Sequence, residues 1–326
     1  QSGPFYDKIS LFCNGWRKRP DTGFQHFPHT HCCIDIKMNR MKNKTHQKRV
    51  AAIHDLSGFG KCSLTVALPI LSAAGIETSA LPTAILSTHT GGISGYTYRD
   101  LTEDMRPVMK HWKSLDIKFD AIYTGFLGSF EQLDIVKEFF DAFRQEDNLI
   151  LVDPVMGDNG ELYTVFTREF AAGMRMLCQK ADIIVPNLTE AALLLDEPYH
   201  PGPYTHAYIE SLLRKLGALG PQKVVLTGVY FKEDELGAAT YDRTTDTIDY
   251  VFTQKIPGYY HGTGDVFASA LLSALLNDFS LIDAAAIAVH FTTDSIRRTY
   301  KAKTDYRFGV NFEQSFPDFL KELKLV

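Results

Sequence analysis

The chain has 326 residues, 45% of them hydrophobic and 22% charged, and a formal net charge of -5. That is the make-up of a globular protein with a sizeable core, long enough for one large α/β domain or two smaller ones. A mildly acidic balance argues against a general nucleic-acid or anionic-membrane surface, so any phosphate site has to be local.

Taken in chain order, residues 1–48 mix Trp16, basic clusters, prolines and His26, His29, His31, Cys32 and Cys33 without helical or strand periodicity. They are expected to form a poorly ordered or non-native extension, and Met41, which opens Met41-Lys42-Asn43-Lys44 just ahead of the first credible strand, fits that reading. The Cys/His grouping matches no paired-ligand spacing, so no metal site is expected there. No stretch approaches the roughly 18 continuous apolar residues of a membrane span, and the start lacks the apolar core of a secretory signal. A cytoplasmic protein is expected. Five cysteines, Cys13, Cys32, Cys33, Cys62 and Cys178, are an odd number in a long chain and point to reduced thiols.

From Val50 onward short apolar runs alternate with amphipathic segments. Residues 50–53, 78–81, 121–124, 149–152, 183–185 and 224–227 read as strands, and 64–74, 101–115, 131–144, 168–180 and 208–216 as helices. Residues 238–241 and 248–252 read as an antiparallel pair at a sheet edge, and 281–300 and 312–323 as helical. A βαβ series of this kind predicts a mainly parallel sheet with helices on both faces, in a single domain over 49–326, with ligands gathering at the carboxyl ends of the strands.

The residues at those ends are the chemically suggestive ones. Ile53 leads into His54-Asp55-Leu56-Ser57-Gly58, Val152 into Asp153-Pro154-Val155-Met156-Gly157-Asp158, Val185 into Pro186-Asn187-Leu188-Thr189-Glu190, and Thr227 into Gly228. Further on, His261-Gly262-Thr263-Gly264-Asp265 precedes a run of small and apolar residues. Two glycines around a threonine let successive amides turn toward one point, and a helix beginning at Asp265 adds its positive end, which suits an anion. An acid beside that anion makes sense as a base that takes a proton from an attacking hydroxyl, which is the chemistry of phosphoryl transfer. The plain alternative is a turn at Gly262 and Gly264 with Asp265 as a helix cap. Residues 58–63, Gly-Phe-Gly-Lys-Cys-Ser, lack the four-residue gap between glycines of a P-loop.

Four ordered motifs, Asp-Pro-Val-Met-Gly-Asp (153–158), Pro-Asn-Leu-Thr-Glu (186–190), Val-Val-Leu-Thr-Gly (224–228) and Gly-Thr-Gly-Asp (262–265), resemble those of the ribokinase-like superfamily. The vitamin B6 kinases are its most similar branch, and the resemblance covers roughly residues 49–326. It implies a three-layer ribokinase-like fold and ATP-dependent phosphorylation of a hydroxymethyl group on pyridoxal, pyridoxine or pyridoxamine. It also implies Asp265 as the base, with Gly262, Thr263 and Gly264 stabilising charge on the transferring group. Asn187 and Glu190, with Asp153 across the cleft, would organise Mg²⁺ and its waters; the plain alternative for Asn187 and Glu190 is a helix cap. Thr227 would place a hydroxyl near the triphosphate.

On the acceptor side the resemblance implies Asp55, Thr90 within Ser87-Thr88-His89-Thr90-Gly91-Gly92, and Phe126 as an aromatic wall. Their plain roles are cap, turn residue and core. His261 is read as shaping the loop beside the anion site, and Cys62 and Cys178 as small buried hydrophobes. A homodimer is implied by the same resemblance. Asp55 is also similar to the aspartate of hydroxymethylpyrimidine kinases, which share the fold and the base, so that activity is the first alternative. A sugar or nucleoside kinase is disfavoured because no two-to-four-strand insertion is read between Leu81 and Leu101. A non-catalytic binder of the same fold has little use for Asp265.

Overall fold

In the computed structural model, which describes residues 46–326, the strands are, in chain order, β1 (Arg49–Phe59), β2 (Glu77–Thr88), β3 (Tyr98–Asp100), β4 (Ala121–Thr124), β5 (Leu149–Val152), β6 (Gly157–Asp158), β7 (Glu161–Leu162), β8 (Ile183–Ile184), β9 (Lys223–Val229), β10 (Glu235–Asp242) and β11 (Thr247–Gln254). What was expected of residues 1–45 lies outside the described residues. The nine-stranded sheet has the order β3-β2-β1-β4-β5-β8-β9-β10-β11, parallel from β2 to β9 and antiparallel at both edges.

Successive residues of the central strands point to opposite faces, and both faces are apolar. Ile122 packs on one side while Ala121 and Tyr123 pack on the other; Ile150 and Val152 oppose Leu151, and Val224 and Leu226 oppose Val225. A parallel sheet covered on both sides requires such strands. The helices are α1 (Leu64–Ala73), α2 (Thr102–Ser114), α3 (Phe130–Phe143), α4 (Arg168–Cys178), α5 (Leu188–Leu195), α6 (His206–Ala218), α7 (Thr263–Leu276), α8 (Leu281–Ala302) and α9 (Phe316–Glu322). Helices α2 to α6 cover the Ile122 face through Met105, Phe139, Met174, Leu194 and Leu213. Helices α1 and α7 to α9 cover the Tyr123 face through Ile70, Leu271, Ala288 and Phe319. Ten of the 14 residues of α7 are buried, as a helix apolar all round must be. Among the described residues no helix is long and apolar enough to cross a membrane.

Several boundaries differ from the sequence reading. β1 does not stop at Ile53: its pairing with β4 ends at Ile53 and Thr124, but its pairing with β2 continues, through an irregularity between His54 and Leu56, to Phe59 and Thr88. Polar and glycine-rich residues 54–60 carry little strand propensity, and the partner strand decides their conformation. The short edge strand β3 and the β6–β7 hairpin add to the elements expected from the sequence; in the hairpin Asn159 (φ 51°) and Gly160 (φ 85°) form the left-handed pair that such a tight turn needs. Residues 312–323 are not one helix but a 3-10 turn (Phe312–Ser315) followed by α9, where Pro317 suits a helix start and not its interior. Helix α7 begins at Thr263, two residues earlier than expected.

Candidate active site

The loops at the carboxyl ends of the parallel strands meet the amino end of α7. Gly262 caps that helix with φ 73°, and an added Cβ would lie 2.0 Å from the Lys61 carbonyl oxygen, so only glycine fits. The first amides of the helix, on Thr263 and Gly264, have no carbonyl a turn earlier to bond, and they carry the positive end of the dipole. Thr263 donates its hydroxyl to the Tyr260 carbonyl at 3.3 Å, which fixes the approach to the helix. Gly264 is exposed, and the nearest atom to an added Cβ there is Asp153 Oδ2 at 4.0 Å.

Asp265 occupies the third position of α7 and is half-buried. Burial pushes its carboxyl up to about 7, aided by the charge of Asp55 and opposed by a hydrogen bond from the Ser63 amide. Asp153, which follows β5, is buried and is raised well above the usual carboxylate range by desolvation and by Glu190 and Asp265. Glu190 is also raised, chiefly by burial.

The capping reading of Asn187 and Glu190 is realised in full. Asn187 Oδ1 accepts the Glu190 amide at 2.9 Å, Glu190 Oε2 accepts the Asn187 amide at 2.9 Å, and Oε1 accepts the Met156 amide at 3.1 Å. Asn187 Nδ2 donates to the Gly157 carbonyl at 2.9 Å. The pair therefore ties the loop after β5 to the start of α5. Among the described residues no three His, Cys, Asp or Glu side chains form a metal-holding group. Thr227 is brought beside Asn187 by a parallel bridge, its amide bonded to the Pro186 carbonyl at 3.0 Å, and Gly228 turns away with φ 76°.

On the acceptor side Asp55 is buried, and both of its oxygens are already engaged: Ser57 donates to Oδ2 at 3.0 Å and Ser63 to Oδ1 at 2.5 Å. Burial raises this acid too. Ser63 has φ 52°, a costly conformation for a serine, and from it the hydroxyl reaches Asp55 while the amide reaches Asp265. Nothing in the sequence reading singled out this bridge between the two acids. Thr90 is exposed in the loop after β2, and Phe126, half-buried after β4, packs 5.5 Å from Phe166. Tyr98 on β3 feels the charge of Asp55 and lies 3.1 Å from where a Cβ on Gly128 would be, so it belongs to this side of the cleft as well.

Cys178 is fully buried, as expected, but Cys62 is not simply a small hydrophobe. Burial, with the charges of Asp55 and Asp265, pushes its thiol far up, and the hydroxyls of Ser57 and Ser63 oppose that shift. Lys61 turns away from the cleft: its ammonium meets Glu313 at 2.8 Å and Asn311 at 3.3 Å, and its amide the Phe308 carbonyl at 3.1 Å.

His54, the residue before Asp55, has no exposure, its ring is 4.3 Å from that of Tyr123, and neither nitrogen makes a hydrogen bond of normal geometry. Desolvation lowers it from the ordinary 6.5 to about 3, with the Tyr123 backbone a weak opposing influence. The unfolded chain therefore takes up the proton first as pH falls below 6.5, and stability is lost from there toward 3 at up to about 1.4 kcal/mol per pH unit. The raised carboxylates act in the opposite sense, so the measurement is a comparison. Urea midpoints at pH 7.5 and 5.5 should fall more steeply for the wild-type chain than for His54→Asn; equal slopes would refute the neutral, buried imidazole.

A family model for phosphomethylpyrimidine kinase matches residues 70–309. The chain belongs to the phosphomethylpyrimidine kinase family. As a member of that family it is a phosphotransferase with an alcohol acceptor and a ribokinase-like fold. This kinase is similar to a Bacteroides thetaiotaomicron protein classed with phosphomethylpyrimidine kinases, whose crystals contain pyridoxal: 43% identity, TM-score 0.81, covering 84% of this chain and 96% of that one. It is similar to pyridoxal kinase from Lactobacillus plantarum at 33% identity and TM-score 0.78, covering 85% and 98%. Sheep (Ovis aries) pyridoxal kinase is 30% identical over 241 residues, 68% of this kinase and 74% of the sheep enzyme. The kinase spans 44% of the length of a chloroplastic thiamine biosynthetic bifunctional enzyme of Arabidopsis thaliana, 24% identical over 243 residues, 74% of this chain.

Proposed function

We propose that this kinase transfers the γ-phosphoryl group of ATP to the 5′-hydroxymethyl group of pyridoxal, pyridoxine or pyridoxamine, with residues 49–326 acting as one kinase domain. The observation that carries the reading is the placement of Asp265 beside the first amides of α7, joined through Ser63 to acceptor-side Asp55. The likeness to the pyridoxal-containing Bacteroides thetaiotaomicron structure supports a pyridine alcohol as the acceptor.

In this reading Asp265 takes the hydroxyl proton as the oxygen attacks, and a carboxyl titrating near 7 is well matched to that task at neutral pH. The amides of Thr263 and Gly264, following the Gly262 cap, face the charge that builds on the transferring group. Thr90, Phe126 and Asp55 hold the acceptor ring, and Thr227 lies toward the triphosphate. Magnesium fits the oxygen-rich side of the cleft: Asp153 is a buried carboxylate whose electrostatic neighbours Glu190 and Asp265 are themselves acids, a setting that a divalent cation relieves. Asp153 would be its ligand, while Asn187 and Glu190, whose polar atoms bond backbone, would frame the loops around it. When bound, the ion would neutralise phosphate charge. We further propose a cytoplasmic homodimer, for which exposed Phe59 and Ile85 near the β3 edge supply apolar surface.

A panel with ATP and each B6 vitamer, hydroxymethylpyrimidine and ribose tests the proposal. A phosphorylated vitamer is expected. Turnover of hydroxymethylpyrimidine alone would favour the thiamin-pathway reading, which the family and Asp55 keep as the second candidate. No product from any of them would leave a binding protein.

A further inference from the structure

His261 stands immediately before the Gly262 cap and belongs to neither the proposed base nor the amide cradle. Its half-buried ring lies 5.3 Å from the ring of His89, 5.0 Å and edge-on to Tyr259, and 6.4 Å and stacked on Tyr306. The Gly91 backbone rests against it so closely that an added Cβ would be 2.5 Å from His261 Nδ1. Two of these neighbours are anchored elsewhere. His89 accepts the Gly91 amide at Nδ1 (3.1 Å) and donates from Nε2 to the Arg307 carbonyl (2.5 Å), which fixes its tautomer. Tyr259 donates its hydroxyl to Asp158 Oδ2 on β6 at 2.8 Å. One ring therefore joins the loop after β2, the β6–β7 hairpin, the segment after α8 and the residue preceding α7. Burial, opposed by the charge of Asp158, holds this imidazole below its ordinary range, and the neutral ring meets its surroundings as a flat apolar-faced body.

We infer that His261 is a positioning residue: a strut that sets the separation between the acceptor segment 87–92, which carries Thr90, and the phosphate-receiving end of α7. The inference rests on the kinase reading above and adds the part that holds its two halves in register. Transfer requires the acceptor oxygen within about 3–3.5 Å of the phosphorus, and a displacement near 1 Å costs on the order of a hundredfold. Removing the strut lets residues 90–92, which lie beyond β2 and the anchored His89, shift while Asp265, the amides and the nucleotide side stay in place. Water can then take the position of the alcohol, giving ADP and inorganic phosphate in place of ADP and a phosphate ester, with Asp265 accepting the water proton.

The test measures ADP and phosphorylated alcohol separately on the full chain. His261→Ala should raise the KM for the acceptor about tenfold or more, leave the KM for ATP within about twofold, and raise ADP released per ester formed above one. His261→Phe restores a flat ring without nitrogens and should recover acceptor KM and coupling. Gly91→Ala approaches the same contact from the other side and should give the same signature. Because the alanine methyl would occupy the space that His261→Ala vacates, the double variant should be less impaired than the product of the two single effects predicts. An unchanged acceptor KM and coupling ratio in His261→Ala would overturn the inference. So would a His261→Phe variant as defective as His261→Ala, since the imidazole would then act through its nitrogens. If the wild-type chain phosphorylates hydroxymethylpyrimidine and no vitamer, the vitamer reading fails, and the same variants with that alcohol still decide the strut. A wild-type chain that phosphorylates neither overturns both.

Discussion

Asparagine at position 265 should lower kcat about a hundredfold to ten-thousandfold while ATP binding changes little. The side chain keeps its size and can still accept the Ser63 amide, so the contact between the two loops survives, and the Gly262 cap of α7 is untouched. What is lost is the ability to take a proton from the attacking hydroxyl. The wild-type acid is raised to about 7 by burial and by Asp55, so kcat/KM should climb with pH toward neutrality as it ionises, and that limb should be absent in Asp265→Asn. A folded pKa above the unfolded one also means that ionised Asp265 is a liability as pH rises through 7. The variant should consequently be at least as stable as the wild type at pH 8, which separates loss of the base from misfolding. Steady-state rates, nucleotide binding by calorimetry and thermal melts provide the three readouts; normal turnover in Asp265→Asn would remove the base assignment.

The second large effect is expected at Gly262. Alanine there must hold φ near 73° and place its methyl 2.0 Å from the Lys61 carbonyl, a backbone atom that cannot swing aside. Left-handed strain and the forced separation of residues 61 and 262 together should cost about 2–4 kcal/mol in denaturant unfolding. Activity should drop by at least about a hundredfold, because the same shift withdraws the amides of Thr263 and Gly264 from the place where charge develops. Gly264→Ala is the matched control for stability. Its added methyl meets only Asp153 Oδ2, at 4.0 Å, so its unfolding free energy should stay within about 0.5 kcal/mol of wild type. Equal stability of the two variants would show that the clash at Gly262 is relieved at no cost.

The parallel core was legible because both faces of its strands are apolar and their runs are short: Ile122, Tyr123, Leu151 and Val225 say as much before any coordinates. The turn proposed as an amide cradle was legible because two glycines flank Thr263 and an acid follows at fixed spacing. Harder to read were features set by a distant partner. β1 extends past Ile53 only because β2 runs beside it, and β3 only because it pairs with residues 84–86. The bridging role of Ser63 depends on its unusual backbone conformation, and serine by itself gives no sign of that. The placement of Cys62 among Asp55, Ser57 and Ser63 follows from the same turn. The turn pair Asn159-Gly160 was a sequence signal that could have revealed the β6–β7 hairpin. The pattern Asn-x-x-Glu carried two meanings at once, and the coordinates realise the capping one without removing Asp153 from the cleft.

Helix α7 is enclosed by protein along nearly all its length, and only its first turn looks into the cleft. The groups proposed to drive the transfer are thus built into the least deformable part of the molecule, whereas Thr90 and Phe126 sit on connecting segments at its rim. Changes of substrate during divergence should accordingly accumulate in those outer segments while the engine is inherited intact. One family can in that way come to serve several alcohols without redesigning the step that phosphorylates them.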